Sequence, residues 1–190
     1  PSMPHSTATS ENDRTVSALR WALRIGVFMC FLGHGSYAIL AKPEWLPFFG
    51  VVGIPPNIAA HILPLIGLLD VTAAALPLAS PPPIVFLWAA FWCLWTATLR
   101  PLTGLGPWEF LVRGANYGVP LAFLALHPWP RSLREWFDPV VPGRVTVKHL
   151  RLSGLVLRVS IALLLIGHAG LGAFQQKAGL LDLYAKAGVP

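Results

Sequence analysis

The chain has 190 residues, of which 55% are hydrophobic and 12% are charged, and its mean hydropathy is +0.62. Soluble domains carry about 25% charged residues, so this composition excludes an ordinary soluble domain and predicts a polytopic membrane protein. The net charge of +6 does not indicate nucleic-acid binding, because the arginines flank apolar segments and form no basic patch interleaved with base-stacking aromatic residues.

Five apolar segments follow a polar N-terminal tail, residues 1–16, which we expect to be disordered. The segments cover residues 17–41, 57–78, 83–99, 106–127 and 153–176. A membrane-spanning helix needs about 20 apolar residues, and helices satisfy their own backbone groups in lipid, which open strands cannot do. The sequence therefore predicts an all-α transmembrane bundle. It consists of a four-helix unit at 17–127, a basic linker at 128–152 and a fifth helix within 153–190.

The fifth segment repeats the first. The aligned pairs are Arg24 with Arg158, Gly33-His34 with Gly167-His168, Lys42 with Lys177, and Gly53 and Pro55 with Gly188 and Pro190. An internal repeat in a membrane chain indicates a duplicated helical bundle. We expect the fifth helix to pack in a pseudo-symmetric relation to the first, with its histidine at the same membrane depth. We also expect protein to cover its glycine-rich face.

Basic residues predict the orientation of the bundle. Lysine and arginine are concentrated in the N-terminal segment and the linker, at Arg14, Arg20, Arg24, Arg131, Arg134, Arg144, Lys148 and Arg151. Cytoplasmic loops carry the excess of basic residues, so the N-terminus and the linker should be cytoplasmic. The loops at 42–56 and 100–107 should then face outward. A multi-pass protein of a bacterial-type inner membrane is expected.

Several motifs resemble one membrane family. They are G-H-G-x-Y at 33–37, Asp70-Val71, W-T-A-T-L-R-P-L at 95–102 and W-E-F-L-V-R-G-A-N-Y-G-V-P-L at 108–121. The chain resembles the DoxX/DoxD-like integral membrane proteins over 18–127, and again over 153–190. That family includes the small subunit of thiosulfate:quinone oxidoreductase. The resemblance implies a four-helix unit and an auxiliary role in a membrane redox or energy-converting complex.

Arg24 and Asp70 lie at matched depths on consecutive predicted helices. Helical rise places them roughly 10 Å and 12 Å from the same side of the membrane. An unpaired charge there costs at least about 2.5–3.5 kcal/mol on insertion scales. We therefore expect a structural ion pair between them. A proton or ion relay, or Arg24 extending to the headgroups, remains the alternative.

The opposite half of the bundle is richer in hydrogen-bonding groups, which come from all four helices of the first unit. They are His34, Tyr37, His61, Arg100, Glu109, Arg113, Asn116 and Tyr117. A site for a lipid headgroup or a quinone ring combines such donors with apolar walls. These residues are candidate ligand-binding residues. The alternative is that they bond to one another and to the headgroup region.

Small and aromatic residues indicate helix contacts. Gly114 and Gly118 form a GxxxG motif, and Gly167 and Gly170 leave a smooth face on the fifth helix, so both pairs suit close helix approach. Trp88, Trp92 and Trp95 fall on one face of the third helix. This set is a candidate interface with a partner subunit, and intramolecular packing or lipid contact is the alternative.

No catalytic motif or metal-ligand spacing is present in the sequence. His34 and His168 could ligate a haem only if a group fixed each second ring nitrogen, and no such motif is visible. We therefore expect no haem and no metal, while quinone or lipid remains a candidate ligand. Cys30 and Cys93 lie within apolar segments, where thiols are usually inert.

Two functions fit these observations. The first is an auxiliary subunit of a membrane redox or energy-converting complex, without catalytic activity of its own, in contact with lipid, quinone or pigment and with other membrane subunits. The second is a small-molecule or lipid carrier that binds its ligand in the outer polar cluster.

Overall fold

The computed structural model describes residues 6–140, 145–175 and 178–188, with the backbone alone at 6–13, 178, 180 and 181. Within these ranges the chain is helical and contains no β-strand, which confirms the predicted all-α class. Four of the described helices are long and apolar enough to cross a membrane, at Arg14–Ile39, Pro56–Ala79, Pro83–Leu102 and Val147–Ala173. These four helices indicate a multi-pass membrane protein.

The helices in chain order are α1 (Ser6–Ile39), α2 (Leu46–Gly50), α3 (Pro56–Ala74), α4 (Leu76–Ala79), α5 (Pro83–Leu102), α6 (Trp108–Leu111), α7 (Gly114–Ala125), α8 (Leu133–Phe137), α9 (Val147–Ala173) and α10 (Ala178–Lys186). A 3₁₀ turn at Pro43–Trp45 precedes α2. Proline begins α3 and α5, where its missing N–H has no intrahelical partner to lose. Thr146 caps α9 through its side chain.

The N-terminal tail differs from the expectation of disorder. Residues 6–16 belong to α1, which begins at Ser6. Nucleating a helix is costly, but each further residue added to an existing helix is not. The apolar part of α1 therefore extends into the polar segment before it. Residues 1–5, the rest of the predicted tail, lie outside the described residues.

The predicted fourth segment, 106–127, differs from a single long helix. It contains α6 and α7, separated by Val112 and Arg113. Helix α7 has 12 residues, which span about 18 Å, less than the hydrocarbon core of about 30 Å. The break lies where the Arg113 side chain turns back to bond the Glu109 carbonyl oxygen at 2.9 Å.

Helix α7 nevertheless runs between the two ends of the bundle. At the first end, Arg20 donates to the Val140 carbonyl, and the Val140 N–H donates to the Pro81 carbonyl; we call this the Arg20 end. At the other, Gln175 donates to the Leu105 carbonyl at 2.8 Å; we call this the Arg100 end. The chain therefore enters α7 from the Arg100 end and leaves it at the Arg20 end.

The core is centred on α7. Helices α1, α5 and α9 pack around it, and α3 packs against the outside of α1. Phe123 of α7 is fully buried and stacks on Phe86 of α5 with ring centroids 3.6 Å apart. The short α7 is thus enclosed by protein along its length. Burial within protein, and not length, accounts for its place in the bundle.

The candidate interface glycines form contacts within the chain. A Cβ on Gly114 would lie 2.7 Å from the Leu163 Cβ of α9, and one on Gly118 would overlap the Ser160 side chain. Gly167 and Gly170 face Val112 and Trp108 in the same way. The structure therefore assigns these four glycines to packing of α9 on α6 and α7 instead of to a partner subunit. The glycine-rich face of the fifth helix is covered, as expected, but by its own chain.

The two predicted repeats share local geometry but not packing. His34 and His168 each lie five residues before the end of their helix, and each ring Nδ1 bonds the carbonyl four residues earlier. Gly33 has open space around it, whereas Gly167 is buried. Helices α1 and α9 thus turn different faces to their neighbours. Lys177 and Pro190, two residues of the predicted alignment, lie outside the described residues.

Candidate functional site

A cavity of about 250 Å³ lies at the Arg100 end, between α1, α2, α3 and α5. Its walls are mainly aliphatic and aromatic, and the segment after α1 closes it through Trp45, Phe48 and Phe49. The polar side chains that line it are His34, Asp70, Cys93, Thr96, Arg100 and Arg113. Apolar walls with a few polar groups are typical of small-molecule sites.

Three charged side chains form a cluster at this cavity. The Glu109 carboxylate is 2% exposed and lies 2.8 Å from an Arg113 guanidinium nitrogen and 3.7 Å from one of Arg100. Arg100 also lies over the Phe48 ring, 5.1 Å from its centroid. One carboxylate thus faces two guanidinium groups, and the cluster keeps one net positive charge. The Nε atoms of both arginines are buried without a hydrogen-bond partner within the described part of the chain.

This cluster follows from local structure. Arg100 lies in the last turn of α5, where a cation is stabilised by the helix dipole. Glu109 lies in the first turn of α6, where an anion is stabilised in the same way. Arg113 is four residues further on and comes within reach because the chain turns after α6. The short connection between α5 and α6 brings all three together.

His34 and two thiols lie on the adjoining wall. The His34 Nδ1 donates to the Cys30 carbonyl oxygen at 2.9 Å and lies 3.4 Å from the Cys30 sulfur. The Cys93 side chain reaches towards Cys30 from α5 and also lines the cavity. The two cysteines that the sequence leaves unrelated are therefore neighbours. Their proximity depends on how α1 and α5 are rotated about their axes, which the sequence does not show.

The predicted ion pair between Arg24 and Asp70 is not formed in the described structure. Arg24 instead donates from Nε to the Pro77 carbonyl at 2.5 Å and from a terminal nitrogen to the Leu78 carbonyl, and it stacks on Trp21. The carbonyls at a helix end lack intrahelical partners and attract cations. The C-terminal end of α4 therefore supplies a partner for Arg24 that needs no acid.

Asp70 faces the cavity from α3. It is 9% exposed, and its nearest polar neighbours include Trp92, His34 and Cys30. The sequence places Asp70 at the depth of Arg24, but the side chain points towards α5. Asp70 therefore belongs with the cavity-lining residues and not with a structural ion pair.

A groove continues from the cavity towards the Arg20 end. It lies between α3 and α5 and is lined by Ile66, Leu69, Thr72, Ala73, Leu76 and Trp88, together with Asp70 and Trp92. Ile66, Asp70 and Trp92 line both the cavity and the groove. Helix α3 packs mainly on α1, and α5 mainly on α7. The space between α3 and α5 is therefore open along the side of the bundle.

The candidate ligand-binding residues divide into two groups. His34, Arg100 and Arg113 line the cavity, and Glu109 binds both of these arginines. The others lie elsewhere. Tyr37 and His61 are exposed, Asn116 is partly buried away from the cavity, and the buried Tyr117 stacks on Phe110.

The three tryptophans of the candidate interface also occupy two different places. Trp92 and Trp95 line the cavity, and Trp88 lines the groove, where it stacks on Trp92 with centroids 5.5 Å apart. Trp88 remains half exposed at the bundle surface. Two of the three therefore form the wall of an internal site, and Trp88 alone keeps a large outward face.

Within the described residues, no group of three or more histidine, cysteine, aspartate or glutamate side chains could hold a metal ion. His168 is exposed on α9, whereas His34 lines the cavity between α1, α3 and α5. The donor set of the site consists of guanidinium, imidazole and indole groups. These groups suit an organic ligand that accepts hydrogen bonds or carries negative charge.

Comparisons of the chain with protein families, with curated protein sequences and with solved structures find no match.

Proposed function

We propose that the protein binds a lipid-soluble small molecule, a lipid or a quinone, within the membrane. The observation that carries the proposal is the cavity at the Arg100 end, which combines apolar walls with a few polar groups at one side. The buried Nε atoms of Arg100 and Arg113, which have no partner among the residues that the structure describes, supply donors for a polar head. The protein would act as a carrier or a binding subunit, with no chemical step of its own.

The ligand would enter from the bilayer through the opening between α3 and α5. The groove on that side continues into the cavity through Ile66, Asp70 and Trp92. A lipid-soluble molecule dissolved in the membrane therefore reaches the polar groups without crossing water. Most of the groove lining is apolar, which suits the hydrocarbon part of such a molecule.

Blocking the groove tests this function. In Ile66→Trp, the indole would fill the junction of groove and cavity, whereas Leu65→Trp on the same helix would point outward, because Leu65 is 62% exposed. Both variants and the parent protein would be purified from membranes, and native mass spectrometry would count the lipid or quinone that remains bound. Loss of the bound molecule in Ile66→Trp alone supports the function. Equal occupancy in all three proteins would contradict it.

We also propose a DoxX-like unit at 17–127 with a partial repeat at 153–190, in an inner membrane with the N-terminus cytoplasmic. The motif residues that carry the resemblance support the unit, because His34, Asp70, Arg100, Glu109 and Arg113 all lie at or beside one cavity. The aligned residues of α1 and α9, Arg24 with Arg158 and Gly33-His34 with Gly167-His168, support the repeat. The basic residues near the Arg20 end support the orientation.

A second candidate function is the auxiliary subunit of a membrane redox complex. It is supported by the exposed aromatic and aliphatic face of α5, formed by Trp88, Phe91 and Leu94. Purification in mild detergent separates the two functions. A subunit would co-purify with larger proteins at fixed stoichiometry, whereas a carrier would run alone or as a homodimer.

A further inference from the structure

We propose that the cavity and the groove together bind an acyl-chain amphiphile with an anionic head group, a carboxylate or a phosphate. Arg100 and Arg113 would hold the head, and the chain would lie between α3 and α5 along Trp92 and Trp88. This proposal rests on the proposed binding function and names the class of its ligand.

The net positive charge of the cluster formed by Arg100, Glu109 and Arg113 supports an anionic head group. Glu109 neutralises one of the two guanidinium groups, so that one positive charge remains beside the cavity. Arg100 is 8% exposed, and a buried cation without a full counter-charge is costly in a membrane protein. An anionic head would supply that counter-charge. It would also accept from the buried Nε atoms of Arg100 and Arg113, which have no partner in the described chain.

The length of the groove supports the hydrocarbon chain of the proposed ligand. Arg100 lines the cavity and Trp88 lines the far part of the groove, on the same helix. Twelve residue steps along the helix separate them and correspond to about 18 Å, slightly more than one leaflet of a hydrocarbon core of about 30 Å. A ring-sized ligand would fill the cavity and leave the groove empty. A molecule with one extended hydrocarbon chain fills both.

Asp70 sets which end of the site takes the head. It lies at the junction of cavity and groove, level with Trp92, which is about 12 Å from Arg100 along α5. The polar and charged groups around the junction include His34, Cys30, Cys93 and Trp92, besides Asp70 itself. A carboxylate there disfavours an anion at the junction and favours one at the arginines. The head is thus held at the Arg100 end and the chain points towards the Arg20 end.

A pair of ligands with the same chain tests the head-group preference. Stearate and stearyl alcohol would be titrated into the delipidated protein in a nonionic detergent under alkaline conditions, and native mass spectrometry would give the dissociation constant of each. We expect stearate to bind at least about tenfold more tightly than the alcohol, since hydrogen bonds between ionised groups are roughly twice as strong as neutral ones and the head would accept from two guanidinium groups. A phospholipid pair, phosphatidylglycerol and phosphatidylcholine, tests the same preference in a larger head, because both carry a phosphate but only phosphatidylglycerol has a net negative charge.

A charge series on the cluster makes the test specific. Arg113→Gln leaves one acid facing one guanidinium, so that the preference for stearate should fall to near unity. The double variant Arg113→Gln with Glu109→Gln restores the net charge of +1 at the cluster, and the preference should return. Glu109→Gln alone should increase it. If Arg113→Gln does not fold, Arg100→Gln decides the question, because it also leaves one acid facing one guanidinium, the pair of Glu109 and Arg113.

The outcomes separate this proposal from the proposed function. A preference for stearate that follows the charge series supports an anionic head group. Equal binding of stearate and stearyl alcohol in every variant, with both displaced by Ile66→Trp, would overturn the anionic head group and leave the binding function standing. Failure of both ligands to bind a folded protein, together with equal occupancy in Ile66→Trp and Leu65→Trp, would overturn both.

Discussion

The contact between α1 and α3 gives the sharpest test of the packing. Gly67 of α3 faces α1 so closely that a Cβ built on it would lie 2.5 Å from the Ile39 nitrogen, 2.6 Å from the Gly35 oxygen and 2.9 Å from the Ala38 Cβ. The first two are backbone atoms, which cannot rotate away as a side chain can. Gly67→Ala therefore forces the two helices apart by about 1 Å, because carbon atoms in contact lie about 3.5–4.0 Å apart.

The magnitude follows from two opposing effects. Overpacking a tight contact costs about 1–3 kcal/mol, with the upper part of this range expected where backbone must move. Replacing glycine by alanine within a helix returns about 0.8–1.0 kcal/mol. The net loss in the free energy of unfolding for Gly67→Ala is then about 1–2 kcal/mol. Gly33→Ala on α1 is the matched control, because a Cβ there meets nothing within 4 Å, and it should gain up to about 1 kcal/mol.

Thermal unfolding in a fixed detergent would measure the difference. Gly67→Ala and Gly33→Ala should differ by about 1–3 kcal/mol, which corresponds to roughly 2–12 °C in Tm for a chain of this size. Equal midpoints for the two variants would refute the close approach of α1 and α3. A stabilised Gly67→Ala would refute it as well, since only an open glycine gains from a methyl group.

Three further predictions concern charges and orientation. Glu109→Gln should lower the free energy of unfolding by about 3–5 kcal/mol, since it removes the buried carboxylate that pairs with Arg100 and Arg113; a loss under about 1 kcal/mol in the same unfolding assay would contradict the buried cluster. The losses from Arg24→Gln and Asp70→Asn should add within about 0.5 kcal/mol, because Arg24 bonds helix-end carbonyls, and a larger coupling in the double variant would mean that the two residues interact. A cysteine introduced at Ser132 should resist labelling from outside intact cells, whereas one at Val52 should be labelled. The reverse pattern would show that the predicted orientation is wrong.

The sequence predicts the site only in part. It identifies Arg100, Glu109, Arg113 and His34 as a polar group at one end of the bundle, because hydropathy and helical rise give the depth of each residue. It does not identify the segment after α1, with Trp45 and Phe48, as the cover of a cavity. The depth of a residue along a helix can be calculated from its position in the sequence. The placement of a loop over particular helices depends on tertiary contacts.

The errors have the same origin. Matched depth predicts a pair between Arg24 and Asp70. In the structure, Arg24 instead bonds carbonyls at the end of α4, and Asp70 faces the cavity. The glycine motif predicts that another helix packs closely here, but it does not show whether that helix belongs to a partner subunit or to the same chain. Gly118 in fact meets Ser160 of the same chain.

The sequence by itself determined that the chain is helical, with helices long and apolar enough to cross a membrane, because long apolar segments in lipid must satisfy their backbone groups internally and helices do so with few alternatives. Only the tertiary structure decided the rotation of each helix about its axis, the break before Gly114 and the central place of α7. These depend on packing between segments far apart in the chain. A turn of one helix relative to its neighbour changes every side-chain partner while leaving hydropathy and length unchanged.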